Sequence, residues 1–228
     1  MNDKLYWHFL QKTKRLGYDD DREVRVGETL TVDCVPALCK RGLHASARAI
    51  DALQYASGPI ICRVKLGGTV IVGDDKVVGT ERTVLAMANA TEPLHEFACW
   101  CAERALVDAK VTDPRCHAAI EAKRKWLRNE ITNSELAAAR DAARAATGAA
   151  TGDAARAASW AASWAASWAA SGAAARAAAS EAACTAALTA AWTAAWDAAW
   201  DAQNDELEKR LNQLLAANEA AMKGVGGE

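Results

Sequence analysis

Apolar and polar positions alternate, then turn helical, then fall into a fixed beat, and these three regimes divide the chain. The aromatic and apolar run Leu5 to Leu10 predicts a first strand, and Val24 to Val32, broken at Gly27, predicts strand, turn and strand. Between them Lys12 to Glu23, with its acidic run Asp19 to Asp21, reads as a solvated loop, and Cys34 to Gly42 is a second loop around Pro36. Ala49, Ile50 and Leu53 take helical register within Ala47 to Ala56, behind Ser46 as a cap and ahead of the Ser57-Gly58-Pro59 stop. Ile60 to Leu66, a Gly67-Gly68 turn and Thr69 to Val72 read as a hairpin. After the polar turn Gly73 to Lys76, Val77 to Leu85 predicts a further strand or short mixed segment.

From Thr91 the period becomes helical, with Leu94, Phe97, Ala98, Cys101 and Leu106 on a helix to Lys110, entered through Glu92 and Pro93. Asp113-Pro114 starts a second helix to about Asn129, and Asn133 or Ser134 caps a third. Strands first and helices afterwards predict an α+β fold. Its expected parts are a small, mainly antiparallel N-terminal sheet with one or two helices over 1–90, connecting helices over 91–133, and an all-helical region over 134–223.

The last region is organised by a repeat. Every fourth residue from Ala138 to Ala202 is alanine, and the slot two places on carries two tryptophan triplets, Trp160, Trp164, Trp168 and Trp192, Trp196, Trp200. Alanine favours helix, so a long Ala/Trp-rich helix or helical hairpin is expected, with Gly148 and Gly152 as the best corner and a run from Asp153 through Gly172 onward. Each four-residue step rotates a helical position by about 40°. Trp160 and Trp196 would therefore share a face about 54 Å apart on one unbroken helix. Such matched aromatic patches suit side-by-side association. A short block duplicated many times would give the same beat without a selected geometry, leaving a length-variable helical spacer. Leu207, Leu211, Leu214 and Leu215 then form an amphipathic stripe, read as a coiled-coil or bundle seam. The expected interface residues are thus the six tryptophans with Leu207, Leu211 and Leu214.

Bulk properties narrow the function. A formal charge of −2 and a pI near 6.1 provide no basic field, which argues against nucleic acid. Seven cysteines without framework spacing predict free thiols and a cytoplasmic protein. Ala157 to Ala175 is long enough to cross a bilayer but lacks Leu, Ile, Val and Phe, so no membrane span is expected. Thr185, Thr189 and Thr193 prompt an ice-binding reading that the 40° drift spoils.

Specific chemistry is sparse. Cys34, Cys39, His44 and Cys62 match no common zinc spacing; His95 and Cys99 share a helix face, with Cys101 off it, and all three are read as packing, so no metal is expected. No phosphate-binding glycine loop, nucleophile elbow or zinc-protease motif occurs.

Gly27-Glu28-Thr29-Leu30, Leu38 to Ser46 (Leu-Cys-Lys-Arg-Gly-Leu-His-Ala-Ser), Ala52 to Ala56 and Asp74-Asp75-Lys76 follow one another in an order that resembles a family of tailed-bacteriophage and prophage proteins. Its members often carry low-complexity repeats behind such a domain, in several cases rich in alanine, tryptophan, arginine and aspartate. The resemblance implies a viral or prophage origin and brings no activity with it. A second similarity is to ADP-ribosyltransferase folds. By that resemblance His8 would hold the ribose of NAD, Ser46 would line the cleft and Glu81 would be the catalytic carboxylate. Trp7 and Phe9 beside His8 depart from the glycine and hydroxyl residues usual there.

The leading expectation is a non-enzymatic phage-type binding module without a cofactor, made a homo-oligomer by the array and acting on a host protein or small ligand. The alternatives are an NAD-using transferase and a helical spacer.

Overall fold

The computed structural model describes residues 4–17, 20–149 and 194–225. The chain divides into two compact units, Met1–Thr91 with Glu206–Glu228, and Glu92–Asp205.

In the first unit five strands form an antiparallel sheet: β1 (Leu5–Leu10), β2 (Thr29–Thr31), β3 (Leu43–Ala45), β4 (Ile60–Val72) and β5 (Val77–Asn89), with the short helix α1 (Ala49–Gln54) before β4. The order is β1-β4-β5-β2, and β3 pairs with β5 beyond β2. Gly67-Gly68 does not turn the chain. It sits inside β4, where a register shift between Gly67 and Val70 bends the strand, and the reversal comes at Gly73, whose amide donates to Lys76 O at 2.8 Å. Glycine serves a bulge as readily as a turn, and Gly68 takes a φ of 64°. A second shift between Arg63 and Val64 bends the sheet again. The curvature returns the sheet to its own first strand. Trp7 N donates to Ser46 O at 2.8 Å and Ser46 N to Trp7 O at 2.9 Å, so the circuit β1-β4-β5-β3 closes on β1 as a small barrel. Gly42, at φ 109°, lets β3 pair with β5, because a Cβ there would lie 2.5 Å from Val78 Cγ2.

Alternation along β1 sends Tyr6 and Leu10 into a cluster with Cys62, Val64, Leu66, Val84 and Met87, closed by Leu30, Leu43 and Ala45. Trp7 goes to the opposite face with no exposed surface. There it meets α5 (Ala194–Val225), whose residues from Glu206 onward belong to this unit. Glu208 Oε1 accepts from Trp7 Nε1 at 3.2 Å and from Ala49 N at 3.0 Å, and Asn218 Nδ2 donates to Met87 O at 3.0 Å. The expected Ser46 cap is thereby replaced. The N-cap position of α1 is Arg48, which makes no side-chain cap bond, and the first-turn amide is held by a carboxylate from far down the chain.

Within the second unit, α2 (Thr91–Asp108), α3 (Pro114–Leu127) and α4 (Asn133–Ala149) pack through Cys99, Ala102, Leu106, Cys116, Ile120 and Ala146, with a smaller cluster at Ala119, Leu136 and Ala143. Asp113 caps α3 by accepting from Arg115 N at 2.9 Å, with Pro114 in the first turn as expected. Thr132 and Glu135 form a reciprocal capping box, with Thr132 N to Glu135 Oε2 at 2.8 Å and Glu135 N to Thr132 Oγ1 at 3.3 Å. That places the cap one residue before Asn133. α4 continues through Gly148, and the expected corner at Gly152, the run from Asp153 and Trp160, Trp164, Trp168 and Trp192 lie outside the described residues. The architecture of the described residues is α+β.

Candidate functional site

The barrel interior is apolar except for one group of polar side chains. His8 on β1 is registered opposite Cys62 on β4. Arg82 on β5 is opposite both Leu30 and Leu66, which commits its side chain to the inward side, and it is only 2 % exposed. Its Nη1 donates to the backbone oxygen of His44 at 2.9 Å, while Nε and Nη2, both buried, have no hydrogen-bond partner among the described residues. A buried guanidinium with two unpaired nitrogens is costly and rare.

Charge states follow from these surroundings. Burial pushes Arg82 down to about 10, with Cys62 raising and Arg22 lowering it further, so it stays a cation at neutral pH. Burial pushes the Cys62 thiol up to about 12, which keeps it neutral. His8 keeps part of its surface open, yet desolvation first, and then the positive charge of Arg82 and the proximity of His44, hold it well below 6.5. It is a neutral imidazole at pH 7. His44 is half-buried and also lowered, chiefly by desolvation. Its Nε2 accepts from Cys39 N at 3.1 Å and its Nδ1 lies 3.1 Å from Gly42 O, an arrangement that selects the Nδ1–H tautomer and engages both ring nitrogens.

A second cluster stands at the β4-β5 turn. Lys76 Nζ is 3.2 Å from the exposed Cys39 Sγ and 3.8 Å from the ring centroid of Tyr55, whose hydroxyl donates to Asp75.

The residues singled out from the sequence are distributed as follows. His8 and Ser46 are neighbours only through the backbone: Ser46 pairs with Trp7, which puts its side chain on the face opposite His8. Glu81 does not join them. It is exposed beside Thr31 and Gly67, and strand alternation turns it away from the side holding Arg82. Cys34, Cys39, His44 and Cys62 form no ligand set, and no group of three metal-type side chains occurs among the described residues. His95 and Cys99 are buried in the helical unit: burial pushes the imidazole down to about 4, Lys123 adding to the effect, and the thiol up to about 12. Of the proposed interface set, Leu207 and Leu211 have no exposed surface in the single chain, Leu214 is half-buried, and Trp196 and Trp200 lie on α5, where Trp200 is half-buried.

Arg82 is the functional candidate that the pattern did not single out. Glu81-Arg82 interrupts the apolar run, and only the alternation from Val84 back to Arg82 hints that the arginine points inward. No helix among the described residues is long and apolar enough to cross a membrane. Comparison with family models, curated proteins and solved structures finds no match for this chain.

Proposed function

We propose that the first unit is a non-enzymatic ligand-binding module, and that the alanine and tryptophan array assembles copies of it, in a phage-type protein directed at a host molecule. The observation that carries this reading is the polar group inside the barrel. His8 and the partly unpaired Arg82, held through the backbone oxygen of His44, form a polar set whose one thiol, Cys62, is kept neutral, and the proposed catalytic carboxylate, Glu81, points away from it. A barrel that only needed a core would gain stability by filling that space with apolar side chains. Free thiols at all six described cysteines support a reducing compartment such as the host cytoplasm.

Three experiments test the reading. NAD turnover by the full chain, compared with His8→Ala and Glu81→Gln variants of unchanged circular dichroism, is expected to be absent in all three. Turnover lost specifically in Glu81→Gln would overturn the binding reading in favour of the transferase. A thermal-shift screen of small ligands is expected to yield compounds that stabilise the wild type and not His8→Ala. Light scattering over a dilution series addresses assembly. The full chain is expected to be a discrete oligomer, and serine at Trp160, Trp164 and Trp168 is expected to dissociate it. A monomeric wild type would remove the assembly role and leave the array as a spacer.

A further inference from the structure

Three arginines in this chain show how it holds carboxylates. Arg22 reaches Asp20 through Nε at 2.9 Å and Nη2 at 2.7 Å. Arg115 reaches Asp113 through Nε at 3.0 Å and Nη2 at 2.6 Å. Arg128 reaches Glu130 through the same two atoms, at 2.6 and 3.1 Å. In each pair the side of the guanidinium that presents Nε–H and Nη2–H in parallel receives both carboxylate oxygens, the bidentate geometry that makes arginine selective for planar oxyanions.

On Arg82 this same edge has no hydrogen-bond partner among the described residues. Its one hydrogen bond, to His44 O, uses Nη1 and so fixes the guanidinium without occupying the fork. Nε and Nη2 of Arg82, like Arg63 Nη1 and Gln203 Oε1, are buried without a hydrogen-bond partner among the described residues, and Arg82 is the residue with two such atoms. Among the described residues, no carboxylate of the unit is placed to fill the fork. Asp20, whose negative charge is felt by Arg82, has both oxygens on Arg22. Glu81 is on the other side of the strand, and Glu208 is taken up by Trp7 and Ala49. The neutral Cys62 thiol and the second positive charge of Arg22 both act electrostatically on Arg82, and Arg82 in turn acts on the neutral His8 ring.

We propose that the Nε/Nη2 edge of Arg82 is the recognition point for an oxyanion, a carboxylate or a phosphate monoester, carried by the ligand that enters the barrel. This rests on the reading of the barrel as a binding module and names the chemical class of what it binds. His8 keeps contact with solvent, whereas Arg82 has almost none, and the neutral imidazole can donate or accept one further hydrogen bond. Loss of water at the fork strengthens the pair, since two charge-assisted bonds then replace solvent in a low-dielectric setting.

The test uses the full chain, isotopically labelled, with the Arg82 Nε–H signal assigned through its side-chain connectivity. Sodium acetate and inorganic phosphate are titrated in separate series, with sodium chloride at matched ionic strength as the control. A saturable downfield shift with acetate supports the proposal and identifies a carboxylate source; the same shift with phosphate supports it and identifies a phosphate source. An unmoved signal in both series, or a shift that chloride reproduces, overturns it. Arg82→Lys keeps the charge and loses the fork, so affinity for the active anion is expected to fall by about tenfold or more. Unchanged affinity in a folded Arg82→Lys protein also overturns it. Should Arg82→Lys fail to fold, the wild-type titration alone decides. The wider reading is separable: neutral compounds that stabilise the wild type but not His8→Ala, with both anions silent, defeat the oxyanion assignment and leave the binding module standing.

Discussion

Replacing Glu208 by alanine is expected to loosen the barrel from a position more than a hundred residues beyond it. The side chain makes two bonds through one oxygen, to the indole of Trp7 and to the amide of Ala49. Trp7 has no exposed surface, so its Nε1–H would be left buried and unpaired, a loss of about 1–3 kcal/mol. The amide of Ala49 opens a six-residue helix whose N-cap residue supplies no side-chain acceptor, and losing a cap costs about 1 kcal/mol. Because Glu208 is half-buried and water can replace part of both bonds, the combined effect is about 2–3 kcal/mol. Urea unfolding followed by circular dichroism, with the Trp7 indole resonance as a local probe, measures it. Glu208→Gln retains an acceptor oxygen and should lose less than half as much, through the weaker neutral bond and the lost attraction to Arg63, which stacks on Trp7 at 4.1 Å. An alanine variant within about 0.5 kcal/mol of the wild type would refute the long-range cap. Equal losses for glutamine and alanine would show that charge, and not the acceptor, holds the contact.

Leu211→Ala removes a fully buried side chain and should destabilise the chain by about 2–5 kcal/mol in the same unfolding assay; a surface-like effect would mean that the α5 stripe does not pack as described. Glu81→Gln should change stability by no more than about 0.5 kcal/mol, since the side chain is exposed and faces away from Arg82. His95 has a folded-state pKa near 4 against an ordinary 6.5, so the unfolded chain binds the extra proton between those values. Stability should therefore be lost as pH falls from about 6.5 toward 4, by about 3 kcal/mol at most, and His95→Gln should flatten that slope. An NMR titration placing His95 above pH 6 would remove the basis for it.

What the sequence revealed and what it hid have physical reasons. Local signals held where the determinant is local: Asp113-Pro114 starts α3, and the apolar alternation of Leu5 to Leu10 and Ile60 to Leu66 lies in strands. Gly67-Gly68 misled because a glycine pair is compatible with a turn or a bulge, and the choice depends on what lies across the strand. Ser46 misled in a similar way, since its cap role was displaced by Glu208, a partner that no window of neighbouring residues contains. His44 sits in Leu43–Ala45, a three-residue strand that leaves almost no period and so falls in the gap between the expected loop and helix. For the site, His8 was legible as a strand histidine, whereas Arg82 required the register of β5 against Leu30 and Leu66 to show which way it points.

The same geometry bears on why a repeat array can sit where it does. The barrel unit is built from the two ends of the chain, and everything from Glu92 to Asp205 is inserted between its sheet and its last helix segment. The thermodynamic coupling between insertion length and barrel stability is weak in a flexible chain, because closure entropy grows only with the logarithm of length. Deleting Ala155–Ala190, about a third of the insertion, changes that term by only about 0.3 kcal/mol. If the array acts on the barrel through chain length alone, this deletion should leave the urea midpoint of the barrel, read from the Trp7 indole, essentially unmoved. A large loss would mean that the insertion delivers Glu208 and Leu211 to the sheet in a fixed geometry, and that the four-residue beat is under structural constraint as well as free to duplicate. Repeat number would then be tuned to the barrel, and only deletions that preserve the delivered geometry would be tolerated.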